Sequence, residues 1–108
     1  MDLIKGTLDV LVLKTLAHGP LHGYGVSRAI RDATGGRLTV EEGALYPALR
    51  RLEKAGALSA FWDTTDTGRE ARFYELTASG RERLERELAR WWHYVDAMEA
   101  VLGARGGT

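Results

Sequence analysis

The sequence predicts a mainly α-helical protein with one small β-hairpin: a winged helix-turn-helix followed by a long C-terminal dimerisation helix. Three observations carry that prediction. Apolar residues recur at helical spacing in three segments ahead of Gly56. Two short runs rich in aromatic and β-preferring residues follow, separated by the polar stretch Thr64-Thr65-Asp66-Thr67-Gly68. A heptad seam then runs to Leu102.

Taken in order, residues 3–17 form the first expected helix. Leu3, Ile4, Leu8, Leu11, Val12 and Leu16 recur at helical spacing, and Val10 and Leu13 widen the apolar arc. A helix apolar on several sides needs several neighbours. His18-Gly19-Pro20 ends it. Residues 22–34 form the second helix, stopped by Gly35-Gly36. The third begins after Thr39 and ends at Ala55, with Leu45, Leu49 and Leu52 as one buried stripe. Pro47 conflicts with a helix interior, where proline loses a hydrogen bond and meets the carbonyl four residues back. That carbonyl belongs to Gly43, which leaves room for a bend. Alternatively, the helix proper starts near Glu42 and Pro47 falls in its second turn.

Residues 58–63 and 71–76 are the expected strands, with Arg69 and Arg72 beside the polar tip. Thr77 caps the last helix, which extends to about Leu102. Leu84, Leu88, Trp91, Val95, Met98 and Leu102 alternate steps of four and three, the pattern of a helix packed on a partner helix. Arg81 with Glu85, Glu82 with Arg86 and Arg83 with Glu87 are expected to pair along its exposed side. The domain reading is a winged-helix unit over 1–76, the dimerisation helix over 77–102 and a disordered tail over 103–108.

Composition narrows the function. A chain of 108 residues holds one core, and 44% apolar with 28% charged residues is ordinary for a globular domain rather than a disordered one. The absence of cysteine excludes disulfides, thiolate metal sites and thiol nucleophiles. The short apolar stretch 8–16 is interrupted by Asp9 and Lys14, so neither a signal peptide nor a membrane span is expected and the cytoplasm is the default. His18, His22 and His93 lack metal-site spacing, and Ser27, Ser59 and Ser79 lack a nucleophile context. Neither a metal, a cofactor nor an enzymatic activity is expected. The formal net charge is zero, but a phosphate backbone responds to the local field. Across 43–62, Arg50, Arg51 and Lys54 face the single Glu53, a mild local excess of positive charge.

The run Leu21-His22-Gly23-Tyr24-Gly25, the long Glu42-to-Gly56 segment containing Leu45-Tyr46-Pro47, and the return strand Gly68-to-Gly80 together resemble the PadR family of regulators. The resemblance covers roughly residues 5–82, and the single C-terminal helix is similar to the family's short branch. It implies a homodimeric repressor that binds double-stranded DNA at an inverted repeat and is often released by a small planar aromatic ligand. It also places Pro47 within the recognition helix. Glu41 and Glu42 depart from the pattern, standing where the family often has a small hydroxyl residue. They suit a helix N-terminus and would repel phosphates, although a carboxylate can accept from cytosine N4.

The expected DNA-contacting residues are Gly43, Ala44, Tyr46, Pro47, Arg50, Arg51 and Lys54 on the third helix, Tyr24 and Arg28 on the second, and Arg69 and Arg72 on the wing. The expected dimer interface comprises Leu3, Ile4 and Leu8 with the seam Leu84, Leu88, Trp91, Val95, Met98 and Leu102. By resemblance, Val10, Leu11, Lys14, Trp92 and Asp96 line a cavity between the first and last helices, where Trp92 stacks on a flat ligand. Two other readings compete. A winged-helix adaptor without specific DNA binding is slightly favoured by zero net charge and by Glu41 and Glu42. A small-molecule sensor or carrier, with DNA binding secondary, would show Trp92 fluorescence quenched by planar aromatics without any effect of DNA.

Overall fold

The fold, taken from a computed structural model, describes residue 3 and residues 6–103. Its elements in chain order are α1 (Leu8–Leu16), β1 (Leu21–His22), α2 (Gly23–Ala33), α3 (Glu42–Lys54), β2 (Leu58–Thr64), β3 (Glu70–Leu76) and α4 (Ala78–Leu102). The strands form one antiparallel sheet in the order β1-β3-β2. Helices and hairpin therefore follow the winged-helix plan.

The first helix is shorter than its apolar pattern predicts. Gly6 sits at a φ of +86°, a left-handed conformation that no right-handed helix accepts, so α1 starts only after Thr7. Leu3 still packs against the core from outside the helix. Ile4, expected in the dimer interface, and residues 104–108 of the expected tail lie outside the described residues. The strand β1 is an addition. Its two residues pair with β3, Leu21 opposite Tyr74 and His22 opposite Phe73.

One core joins every layer. Val12, Leu13 and Leu16 of α1 meet Val26 and Ile30 of α2, Leu45, Leu49 and Leu52 of α3, and Leu58, Tyr74 and Leu76 of the sheet. α3 starts at Glu42, the later of the two starts the sequence allowed, so Pro47 falls in its second turn. The turn between α2 and α3 is held by side chains. Thr34 Oγ1 accepts from the Leu38 amide at 3.0 Å, and Ser27 Oγ donates to the Val40 carbonyl at 3.3 Å.

The start of α4 is tied to the exit of α3. Thr77 Oγ1 accepts from the Gly80 amide at 2.9 Å and donates to the Gly56 carbonyl at 2.6 Å. Leu84 is buried in the chain's own core and Leu88 packs against it. These two positions, expected in the dimer seam, are therefore already covered within one chain. Beyond them α4 projects, giving the molecule a longest extent of 53 Å. Of the three expected i, i+4 pairs, Arg83 with Glu87 closes at 3.6 Å, alone of the three among the described residues. Among the described residues no helix is long and apolar enough to cross a membrane.

Candidate nucleic-acid interface

Helical periodicity sorts the faces of α3. Leu45, Ala48, Leu49 and Leu52 are buried, which fixes the inner face. Gly43, Pro47, Arg50 and Lys54 follow at steps of four, three and four on the opposite side. This outward stripe carries two small or cyclic residues and then two cations. Proline has no N–H, so the Gly43 carbonyl lacks the donor that a helix normally supplies four residues later. A side-chain carbon at Gly43 would meet nothing within 4 Å, so the stripe is open to a partner. Ala44 is exposed on its flank.

Tyr46 and Glu53 lie toward the sheet. The Tyr46 ring rests on the backbone of Gly23 at the start of α2, where a Cβ would come within 2.6 Å of the ring. Arg72 on β3 reaches back to Glu53 at 2.7 Å. Beneath them, burial pushes the Tyr74 phenol above its ordinary pKa, an effect opposed in part by Arg72 and Arg50. On the other flank of α3, Arg51 Nη2 donates to Asp9 of α1 at 2.7 Å. Arg83 of α4 reaches the same carboxylate at 3.4 Å. The neighbouring arginines thus part: Arg50 stands on the outward stripe, and Arg51 turns toward α1 and α4.

Between the start of α2, Tyr46 and the wing lies an open groove of about 870 Å³. It brings together Tyr24, Arg28, Tyr46, Arg69 and Arg72, five of the residues expected to contact DNA. Its lining also holds Asp32, Asp66 and Glu70, so its three arginines are matched by three carboxylates. Arg28 stands 3.9 Å from Asp32, both well exposed. Among the described residues Arg50, Lys54 and Arg69 make no ion pair, which leaves their charge available.

The wing tip is a tight turn knitted by hydroxyls. Thr65 and Arg69 pair through the Thr65 amide at 2.8 Å, and Gly68 takes the left-handed conformation that the turn demands, at φ +83°. Thr65 and Thr67 exchange a hydrogen bond at 3.1 Å.

Several participants were not legible in the sequence. His22 caps α2, its Nδ1 accepting from the Gly25 amide at 3.1 Å. Histidine is not among the usual N-cap residues, although the three-residue spacing to Gly25 is the cap spacing. Tyr24, by contrast, was expected at the interface, and it is 59% exposed. Trp62 is 68% exposed on β2, and strand alternation alone would have flagged its face.

The residues expected around a ligand divide between two elements. Val10 and Leu11 of α1 pack against the core, and Lys14 is exposed. Trp92 and Asp96 lie one turn apart on α4 and are exposed.

Comparison with known proteins gives a consistent family. A model described as the transcriptional regulator PadR-like family matches residues 12–86. Uncharacterized protein X of Lysinibacillus sphaericus is 30% identical over 94 residues, covering 87% of this chain and 85% of that protein. An uncharacterized 37.1 kDa protein in a Streptomyces fradiae transposon is 47% identical over 79 residues, 73% of this chain but only 21% of that protein. A PadR family transcriptional regulator from Eggerthella lenta superposes with a TM-score of 0.78 at 31% identity, covering 94% of this chain and 86% of that one.

Proposed function

Because the chain belongs to the PadR-like family of transcriptional regulators, we propose that it is a repressor that binds an inverted-repeat operator as a homodimer and is released by a small aromatic ligand. The observation that carries the reading is the outward stripe of α3. Gly43, Pro47, Arg50 and Lys54 give a helix face slim enough at one end to enter a major groove and cationic at the other. Arg50 reads a guanine edge or a phosphate, and Lys54 neutralises a phosphate. Tyr24, Arg28 and Arg69 around the groove hold the flanking backbone and fix the register. Arg51 and Arg72, already paired with carboxylates, contribute less.

Support for a homodimer comes from α4. Beyond Leu88, the seam residues Trp91 and Val95 are half-buried, and Met98 and Leu102 after them are 40% and 72% exposed. A second copy covers this surface, a 25-residue helix being long enough to pack on its own symmetry mate. Trp92, 59% exposed at the edge of that seam, offers a flat ligand a stacking surface whose occupation shifts the two recognition helices relative to one another.

The test is fluorescence anisotropy with labelled duplex from upstream of the gene, alongside sedimentation of the protein alone. Arg50→Ala is expected to weaken specific binding by about tenfold to a hundredfold without altering the helical circular dichroism. Arg51→Ala is expected to change it less than fivefold, within about 1 kcal/mol. Full affinity in Arg50→Ala would remove α3 as the reading helix. A chain that sediments as a monomer at micromolar concentration would remove the dimer.

A further inference from the structure

Trp62 occupies the fifth position of β2, directly opposite Arg72 of β3. Strand alternation assigns its face. Leu58 and Ala60 on the same side pair with Leu76 and Tyr74, both buried against α3 and the core. Moving outward, the inner face of the wing passes from the Ala60–Tyr74 pair to the Trp62–Arg72 pair and then to Thr64–Glu70. Trp62 therefore belongs to the side of the wing that looks toward the recognition helix, where Arg72 crosses to Glu53.

The outer face of the hairpin uses its aromatic residues within the fold. Phe61 stacks on Phe73 at 5.7 Å, and His22 meets Phe73 edge-on at 5.2 Å. Trp62 differs, with its indole 68% exposed and no ring partner among the described residues. A large apolar ring held on a strand, in a layer with Arg72, whose guanidinium reaches α3 at Glu53, fits one kind of surface well. A deoxyribose presents an apolar face, and the adjoining phosphate presents acceptors for an indole N–H.

We infer that Trp62 is a DNA-contacting residue of the wing, packing its ring on a sugar of the strand beside the recognition helix and donating Nε1–H to the neighbouring phosphate. The inference rests on the DNA-binding reading and extends it to a residue with no formal charge. A double-stranded nucleic acid is favoured over a protein partner because Trp62 is paired with Arg72, which lines the same groove as Arg28 and Arg69. A contact to sugar and phosphate positions the protein but reads no base.

The experiment compares the full chain with Trp62→Ala and Trp62→Phe, using labelled operator duplex and a scrambled duplex of equal length. Trp62→Ala is expected to weaken both duplexes by a similar factor of about ten. DNA-dependent change in tryptophan emission is expected in the parent and largely lost in Trp62→Phe, although Trp91 and Trp92 remain. Because the emission test uses the conservative variant, it decides the matter even if Trp62→Ala folds poorly. Parent-like affinity in Trp62→Ala, or an undiminished emission change in Trp62→Phe, overturns this inference while leaving the DNA-binding reading intact. Weakening confined to the operator also overturns it, since that would mean base contact. A parent chain that binds neither duplex overturns both readings, and a protein partner whose binding Trp62→Ala abolishes would take their place.

Discussion

Replacing Gly80 by alanine probes how α4 is joined to the winged unit. The Thr77 amide donates to the Ala57 carbonyl at 3.1 Å, and the Gly80 amide donates to Thr77 Oγ1 at 2.9 Å. A Cβ at position 80 would overlap that same Ala57 carbonyl oxygen and stand 3.1 Å from Leu76 Cδ1. The obstacle is backbone at a buried residue, so it cannot rotate away, and α4 must move off the start of β2. Overpacking of this kind costs about 1–3 kcal/mol. Stretching the Thr77–Ala57 hydrogen bond adds about 1 kcal/mol. Alanine offsets about 1 kcal/mol because it is the better helix former. The net loss of about 1–3 kcal/mol lowers the melting temperature by about 5–15 °C in a domain of this size. Thermal unfolding followed by circular dichroism reads it directly. Gly43→Ala is the internal comparison, since its Cβ would enter open space and should leave stability unchanged or raise it by up to about 1 kcal/mol. If Gly80→Ala melts within about 2 °C of the parent, the close-approach reasoning is wrong.

Three further outcomes are expected. Tyr74 keeps its proton in the folded state at a pH where the unfolded chain, with its phenol at the ordinary value of 10.0, has begun to lose it. Its contribution is therefore complete below pH 10 and is lost as pH rises through the higher folded value; urea midpoints of parent and Tyr74→Phe should keep a constant gap up to pH 9 and shift above 10 against the parent, and a constant gap throughout would contradict the burial argument. Asp9→Asn breaks the carboxylate shared by Arg51 and Arg83; because Arg51 is 60% exposed the loss should stay near 1 kcal/mol or below, and a double-mutant cycle with Arg51→Ala showing no coupling would dismiss the pair as energetically silent. Gly23→Ala forces the Tyr46 ring aside, a movement a side chain can make, so the fold should survive while DNA affinity drops several-fold; unchanged affinity in an anisotropy titration would take Tyr46 out of the interface.

The sequence made the helices and the hairpin legible because their signals are local. Leu45, Leu49 and Leu52 give α3 its buried face, and Thr77 occupies the cap it was expected to occupy. What escaped depends on contacts between distant residues. β1 is two residues long, too short for alternation to register, and exists because β3 offers it an edge. Arg50 and Arg51 are adjacent and chemically alike, so only the packing of α1 shows that Arg51 is drawn to Asp9. Leu84 opens a regular heptad seam, yet α1 lies close enough to bury it within the chain. The break at Gly6 was readable in principle, since glycine ahead of a helix often takes the left-handed conformation that stops it. Trp62 was visible as a strand residue whose face alternation assigns, but its partner across the hairpin, Arg72, became clear only with the register.

The central claim, that this chain holds DNA through α3 and the wing, is tested most directly by a salt titration of its binding to a duplex from upstream of its own gene against a scrambled duplex. Arg28, Lys54 and Arg69 from each of two protomers give about six phosphate contacts, so specific affinity should fall about a thousandfold between roughly 50 and 200 mM salt. The upstream duplex should stay preferred throughout. Equal binding to both duplexes, or none at low salt, would contradict the account.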